Sequence, residues 1–280
     1  RLVRGVVVLA QGMNPKPNQS VARGADQNSE RPMSERPCEV TELHTRLLRV
    51  TLEIDACTAY WSHADPQRSH AENAKLAQEQ GWFGDRSPAR VRKLIDELSS
   101  RFAPFPEAMS VLRNWKDMQD NTRRLICHWH VQLTDTVYRK FTGDLLPELR
   151  GPETAILTRE LVAEWIEQVA PSRWATSTKL KYGGNLITTA AEAGLVSQPL
   201  RERTPRIPEV PDEALAYVLH LVRDVEFSGT LMDNPYLRSV GLQGDTLEDA
   251  LARLAGRSED GGFDLAWMAK NLTEWAARKS

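Results

Sequence analysis

Thr176, Ser177, Thr178, Lys179, Lys181, Tyr182 and Asn185 fall within ten consecutive positions. Their hydroxyl, ammonium, phenol and carboxamide groups are the ones that contact phosphates and base edges. Arg173 precedes them, and Arg201, Arg203 and Arg206 follow. Between Pro171 and Arg206 six basic residues face only Glu192 and Glu202, a local balance of +4 in a chain whose formal net charge is −2. A basic island in a near-neutral chain marks an anion-binding surface, and nucleic acid is the first candidate. Only Arg173 and Asn185 are good base readers, so the expected contact is mainly electrostatic and weakly sequence-specific.

A second basic group, Arg86, Arg90, Arg92 and Lys93, reads either as a further phosphate contact or as a solvated helix face. The run Cys127-His128-Trp129-His130 invites a metal reading. Neighbouring positions on a helix diverge, however, and the chain has no HxxxH, HExxH or CxxC spacing. The two histidines are therefore expected to be structural, with no metal and no cofactor. Carboxylate pairs such as Asp117 with Asp120 and Glu148 with Glu153 belong to no nucleophile, phosphate-loop or metal motif. Asp65-Pro66 lacks the lysine signature of PD-x-(D/E)xK nucleases. Binding without catalysis is the expectation.

What must position the basic island is a pair of helices. Leu157, Leu161, Trp165, Ile166 and Val169 predict a packed helix that Pro171 ends. Residues 172–175 form a turn, and Thr176-Ser177-Thr178 offers cap hydroxyls to the next helix. Leu180, Gly183, Ile187, Ala190 and Ala191 would face inward, and Gly194 would close that helix. Ser177, Lys179, Lys181, Tyr182, Asn185 and Thr188 would then lie outward near its positive end. Leu195-Val196 reads as a short strand and 201–206 as a basic loop, so a short two-stranded wing completes a helix-turn-helix.

The rest of the chain is helical in pattern, and the fold class expected is all-α. Leu43, Leu47, Val50 and Ile54 predict one helix from about Glu42 to Trp61. A second runs from about 71 to 80. Ser87-Pro88 opens a third with the stripe Val91, Leu94, Ile95, Leu98 and Phe102. After Pro104 and Pro106, helices are expected over 107–118 and 121–141, the latter buried through Leu125, Trp129, Leu133, Val137 and Phe141. From Glu209 the sign reverses, with twelve acids against four arginines up to Asp264. Helices near 212–224, 246–254 and 263–277 complete the chain, with Asp233-Asn234-Pro235 as a turn.

The predicted organisation is a disordered extension over 1–40, helical parts over 41–150 and 151–206, and an acidic helical region over 207–280. Residues 11–37 are too poor in apolar side chains to offset their ordering entropy, and Met33 is a plausible start. With 280 residues, 41% hydrophobic and 26% charged, the chain can bury a full core. Three cysteines without pairing motifs fit a reducing, cytoplasmic setting, and no run approaches the ~20 apolar residues of a membrane span.

Three segments resemble the BrxA family of bacterial BREX phage-exclusion systems. They are Arg86-Ser87-Pro88 leading into Arg92-Lys93-Leu94-Ile95-Asp96-Glu97-Leu98 and Arg101-Phe102, then Trp174-Ala175-Thr176-Ser177-Thr178-Lys179-Leu180-Lys181, then Glu192-Ala193-Gly194-Leu195-Val196. The resemblance covers roughly Thr41 to Leu242. It implies an all-helical protein, in part similar to antitermination factors, that binds double-stranded DNA without an activity of its own. It also implies work beside a methyltransferase, an ATPase and a phosphatase-like protein. Two alternatives stay open: an RNA-binding, antitermination-like factor, and an adaptor that docks on protein through the acidic third or through Trp267 and Trp275.

Overall fold

The computed structural model describes residues 36–151, 155–198, 203–255 and 269–278. Its elements in chain order are α1 (Ile54–His63), α2 (His70–Glu79), α3 (Pro88–Phe102), α4 (Pro106–Asn114) and α5 (Asp120–Thr134). Next come α6 (Thr136–Lys140), a π-helical turn over Phe141–Leu145, and α7 (Leu146–Glu148). The chain continues through α8 (Arg159–Val169), α9 (Thr176–Glu192), α10 (Asp212–Arg223), α11 (Pro235–Ser239), α12 (Asp245–Ala255) and α13 (Leu272–Ala277). Among the described residues extended pairing is limited to two isolated bridges, so the fold is all-α. No described helix is long and apolar enough to cross a membrane.

Local sequence explains most starts. Ser87 caps α3 by accepting the Arg90 N–H, with Pro88 at the first helical position. Ser69 and Glu72 form a reciprocal capping box on α2. Asn234 caps α11 through the Leu237 N–H, so the expected Asp233-Asn234-Pro235 turn leads into a helix that periodicity does not announce.

α5 lies at the centre. From Leu125 to Thr134 every residue is buried, including His128, His130 and Gln132, and α1, α3 and α10 pack around it. α10 is buried from Ala214 to Val222. The described part of the acidic third thus belongs to the same apolar core as the segments before it, its acids exposed or half-exposed and most of its leucines, valines and alanines buried. Trp275 sits in that core beside Tyr217 and His220, whereas Trp267 lies outside the described residues.

Three expectations need correction. The helix predicted over 121–141 is split at Asp135, whose extended backbone ends α5 while its carboxylate accepts the Tyr138 N–H at 2.9 Å and starts α6. The predicted apolar stripe survives the break, because Leu125, Trp129, Leu133, Val137 and Phe141 are all buried. The chain is also already structured before residue 41: Cys38 bridges Glu226, and Val40 donates its N–H to Leu133. Residues 1–35, including Met33, lie outside the described residues. Finally, the helix predicted from Glu42 begins only at Ile54. Residues 43–53 form an extended strap with one 3-10 turn over Arg46–Leu48.

Candidate nucleic-acid interface

α8 and α9 are joined by a turn in which Ser172 adopts φ 55° and donates its N–H to Glu167 at 3.0 Å. The helices meet at Gly183, where a Cβ would lie 3.0 Å from the Arg159 carbonyl oxygen and 3.3 Å from Val162 Cβ. Glycine permits that approach without displacing the α8 backbone. The buried face of α8 is Val162, Ala163 and Ile166, rotated from the expected stripe, with Leu161, Trp165 and Val169 at its half-buried margin.

After α9, Gly194 at φ 81° reverses the chain. Val196 then bridges Pro205 antiparallel, Ser197 donates to Thr204 O at 2.9 Å, and Arg206 donates to Leu195 O at 2.7 Å. The Leu157 N–H joins Arg203 O at 2.7 Å from the other side. Helix, turn and helix therefore stand in the order the sequence predicts, and of the expected two-stranded wing the described residues hold one isolated bridge. Arg201 lies outside the described residues.

The strap changes what the polar residues of α9 do. Its main chain has no ladder partner, and buried N–H and C=O groups must be satisfied. Side chains supply the partners. Arg173 donates to Leu43 O at 2.8 Å, Tyr182 to His44 O at 3.0 Å, Asn185 to Leu47 O at 2.7 Å and Arg90 to Arg49 O at 2.9 Å. Arg101, 4% exposed, donates to the carbonyls of Val50, Thr51 and Leu52. Glu192 accepts from the N–H groups of Leu52 at 2.8 Å and Glu53 at 3.3 Å, at the positive start of α1.

Several residues expected outward are thereby engaged inside. Tyr182 is fully buried, its hydroxyl also on Asp135 at 3.1 Å. Burial beside that carboxylate holds the phenol well above its ordinary pKa, and burial likewise raises Asp135. Asn185 is half-buried with its amide on the strap. Lys179 turns onto Glu167 and leaves 13% of its side chain exposed; the Lys179 contact and the Ser172 N–H lower the Glu167 carboxyl. Thr176, Ser177 and Thr178 do not cap α9, since Ala175 holds the cap position without a side-chain bond.

One face of α9 stays outward. Ser177, Lys181, Gly184 and Thr188 recur at steps of four, three and four, which places them in line. Ser177 and Lys181 are exposed, and a Cβ on Gly184 would meet nothing within 4 Å. Thr188 marks the end of the line, where Arg203 from the wing donates to its hydroxyl at 3.2 Å. Thr176 is exposed and Thr178 half-buried at the start. The Arg173 guanidinium lies 5.7 Å from the Trp174 ring centre beside them, and Arg206 is exposed on the wing.

Two members of the second basic group, Arg86 and Arg90, lie away from this face. Arg86 lines a cleft with Glu192, at the far end of α9 from Thr176, and α9 with 17 residues spans about 25 Å. Arg90 is bonded to Arg49 O and paired with Glu53. Arg92 and Lys93 are exposed on α3.

His128 and His130 diverge as helical spacing requires. His128 bonds Tyr138 and Ser239 at 3.0 and 2.9 Å, while His130 bonds Arg101 O and the Tyr217 hydroxyl at 3.2 and 2.8 Å. Burial pushes them down to about 3 and about 4 respectively, so both are neutral at pH 7. Among the described residues no group of three or more His, Cys, Asp or Glu could hold a metal ion. Asp120 is bonded to Arg123, and Glu153 lies outside the described residues.

Sequence reasoning missed Arg101, Glu192 and the strap. Arg101 carried a signal, because it continues the buried stripe three residues after Leu98; a charge on an apolar stripe announces a buried partner. Compared with models of known protein families and with curated proteins, the chain finds no match.

Proposed function

We propose that the protein binds duplex DNA, without catalysis, through the outer face of α9 and the wing beside it. The observation that carries this reading is the line Ser177, Lys181, Gly184 and Thr188. It joins small polar side chains, one exposed ammonium and an open glycine on the second helix of a helix-turn-helix. The first turn of α9 adds N–H groups with no side-chain cap, which favour a phosphate. Arg173, Thr176, Thr178, Arg203 and Arg206 flank the line. A small residue at Gly184 lets the duplex approach the helix backbone. The charges supply affinity that falls with salt and discriminates weakly among sequences.

Lys179, Tyr182, Asn185 and Arg90 leave the contact set, since each is engaged within the fold and at least half-buried; Arg173 stays in it because it is exposed although bonded to Leu43 O. The segments that resemble BrxA support a role in phage exclusion, beside a methyltransferase, an ATPase and a phosphatase-like protein. In the fold two of them hold the strap, through Arg101 on α3 and Glu192 at the end of α9. Fluorescence anisotropy of the protein with a labelled duplex and a matched RNA hairpin tests the reading. Duplex binding weakened about tenfold in Lys181→Glu is the expected result; preference for the hairpin, or affinity unchanged by the substitution, refutes it.

A further inference from the structure

At the far end of α9 a cleft of about 650 Å³ opens between the starts of α1 and α5 and the loop before α3. Ligand sites commonly have volumes of about 300–1,000 Å³. Its carboxylates are mostly engaged: Glu53 pairs with Arg90, Asp120 with Arg123, and Glu192 takes the N–H groups of Leu52 and Glu53. Asp55 is exposed in the first turn of α1, where it faces the helix's positive end. The guanidinium groups of two cations in the lining, Arg86 and Arg124, have no hydrogen-bond or ion-pair partner among the described residues. The Arg124 side chain lies against the end of α9, its Nη1 3.6 Å from where a Gly194 Cβ would stand.

Two further features point to what such cations would hold. α5 begins at this cleft without a side-chain cap, and its first N–H groups favour an anion, whereas the start of α1 already faces the carboxylates of Glu192 and Asp55. Opposite charge is not the whole lining, because Trp82 and Phe83 contribute aromatic surface. Trp82 is fixed by stacking on His63 at 5.4 Å and by donating Nε1 to Gln80 at 2.8 Å. A planar ring packed on a pre-positioned aromatic loses little freedom on binding.

We propose that this cleft binds a nucleoside phosphate, its phosphate held by Arg86 and Arg124 and its base packed on Trp82 and Phe83. The group could arrive as a free nucleotide or as the end of a nucleic-acid strand, and the two sources share this chemistry. The site is separate from the outer face of α9, so it stands or falls independently of duplex binding there.

Isothermal titration of the full chain with AMP, inorganic phosphate and a 5′-phosphorylated single strand tests the proposal. Saturable AMP binding is expected, with inorganic phosphate at least tenfold weaker. Arg86→Ala with Arg124→Ala should weaken AMP at least tenfold while the melting temperature holds, and Trp82→Ala should erase the preference for AMP over phosphate. A strand that binds tighter than AMP and loses that affinity in the double arginine variant but not in Lys181→Glu supports the site with strand ends as its source; AMP binding tighter supports it with the free nucleotide. Lys181→Glu should leave AMP affinity unchanged. No saturable binding of AMP or strand, equal affinity for AMP and phosphate, full affinity in the double arginine variant, or loss of AMP binding in Lys181→Glu each overturns it.

Discussion

The Lys179 ammonium lies on the Glu167 carboxylate across the α8–α9 junction, while Lys181, two residues later, projects from the same helix without a partner among the described residues. Helical geometry turns adjacent lysines to different work. Lys181→Glu should therefore weaken duplex binding about tenfold near 0.1 M salt and lower the salt slope by about one, with an unchanged melting temperature. Lys179→Glu should instead lower the melting temperature, because it sets like charges together between the helices. Anisotropy and thermal melts of the two variants separate these outcomes; a Lys181 variant that binds normally refutes the assignment of the outer face.

Gly183 and Gly184 provide a second contrast. Gly183→Ala forces a Cβ onto the Arg159 carbonyl and should destabilise by about 1–3 kcal/mol. Gly184→Leu enters open space and should stabilise by up to about 1 kcal/mol, yet its side chain would obstruct the outer face and reduce duplex affinity. Denaturant unfolding with parallel binding measurements checks both. A Gly184 variant that is more stable and binds as well as wild type would show that DNA does not approach there.

How much of this was legible in the sequence divides along physical lines. The helix pair, its turn, the Gly194 reversal and the wing follow from local signals: Pro171, spaced apolar residues and a glycine able to hold positive φ. The use of Tyr182, Asn185 and Glu192 was hidden, because each answers a main-chain group about 140 positions away. A strap that satisfies its polar groups through distant side chains leaves no periodic trace, and Leu43, Leu47, Val50 and Ile54 imitate a helical face. Only Arg101 could have been suspected, as a charge on a buried stripe.

The strap supplies a stability test. Glu192→Ala leaves the buried Leu52 N–H and the Glu53 N–H without their carboxylate acceptor, which should cost about 1–3 kcal/mol. Tyr182→Phe removes the one hydroxyl within hydrogen-bond reach of both His44 O and Asp135 and should cost a similar amount. Urea unfolding measures each, and a change under about 0.5 kcal/mol in both would show that these bonds do not hold the strap.

His128 and His130 set a pH dependence. Their folded pKa values, about 3 and about 4, lie below the ordinary value of about 6.5, so the unfolded chain takes up protons first. The stabilising contribution is complete above about pH 6.5 and is lost as pH falls towards the folded values, at up to about 1.4 kcal/mol per pH unit for each histidine. Chemical denaturation between pH 4 and 7 should show this decline, and His130→Gln should make it shallower. A stability independent of pH across that range would contradict neutral burial.

The most direct test of the central claim is fluorescence-anisotropy titration of an arbitrary-sequence duplex at several salt concentrations, with wild type and Lys181→Glu side by side. Duplex binding through the outer face of α9 predicts a linear fall of log affinity with log salt, and a slope shallower by about one in the variant. Salt-independent binding, or the same slope in both proteins, would contradict it.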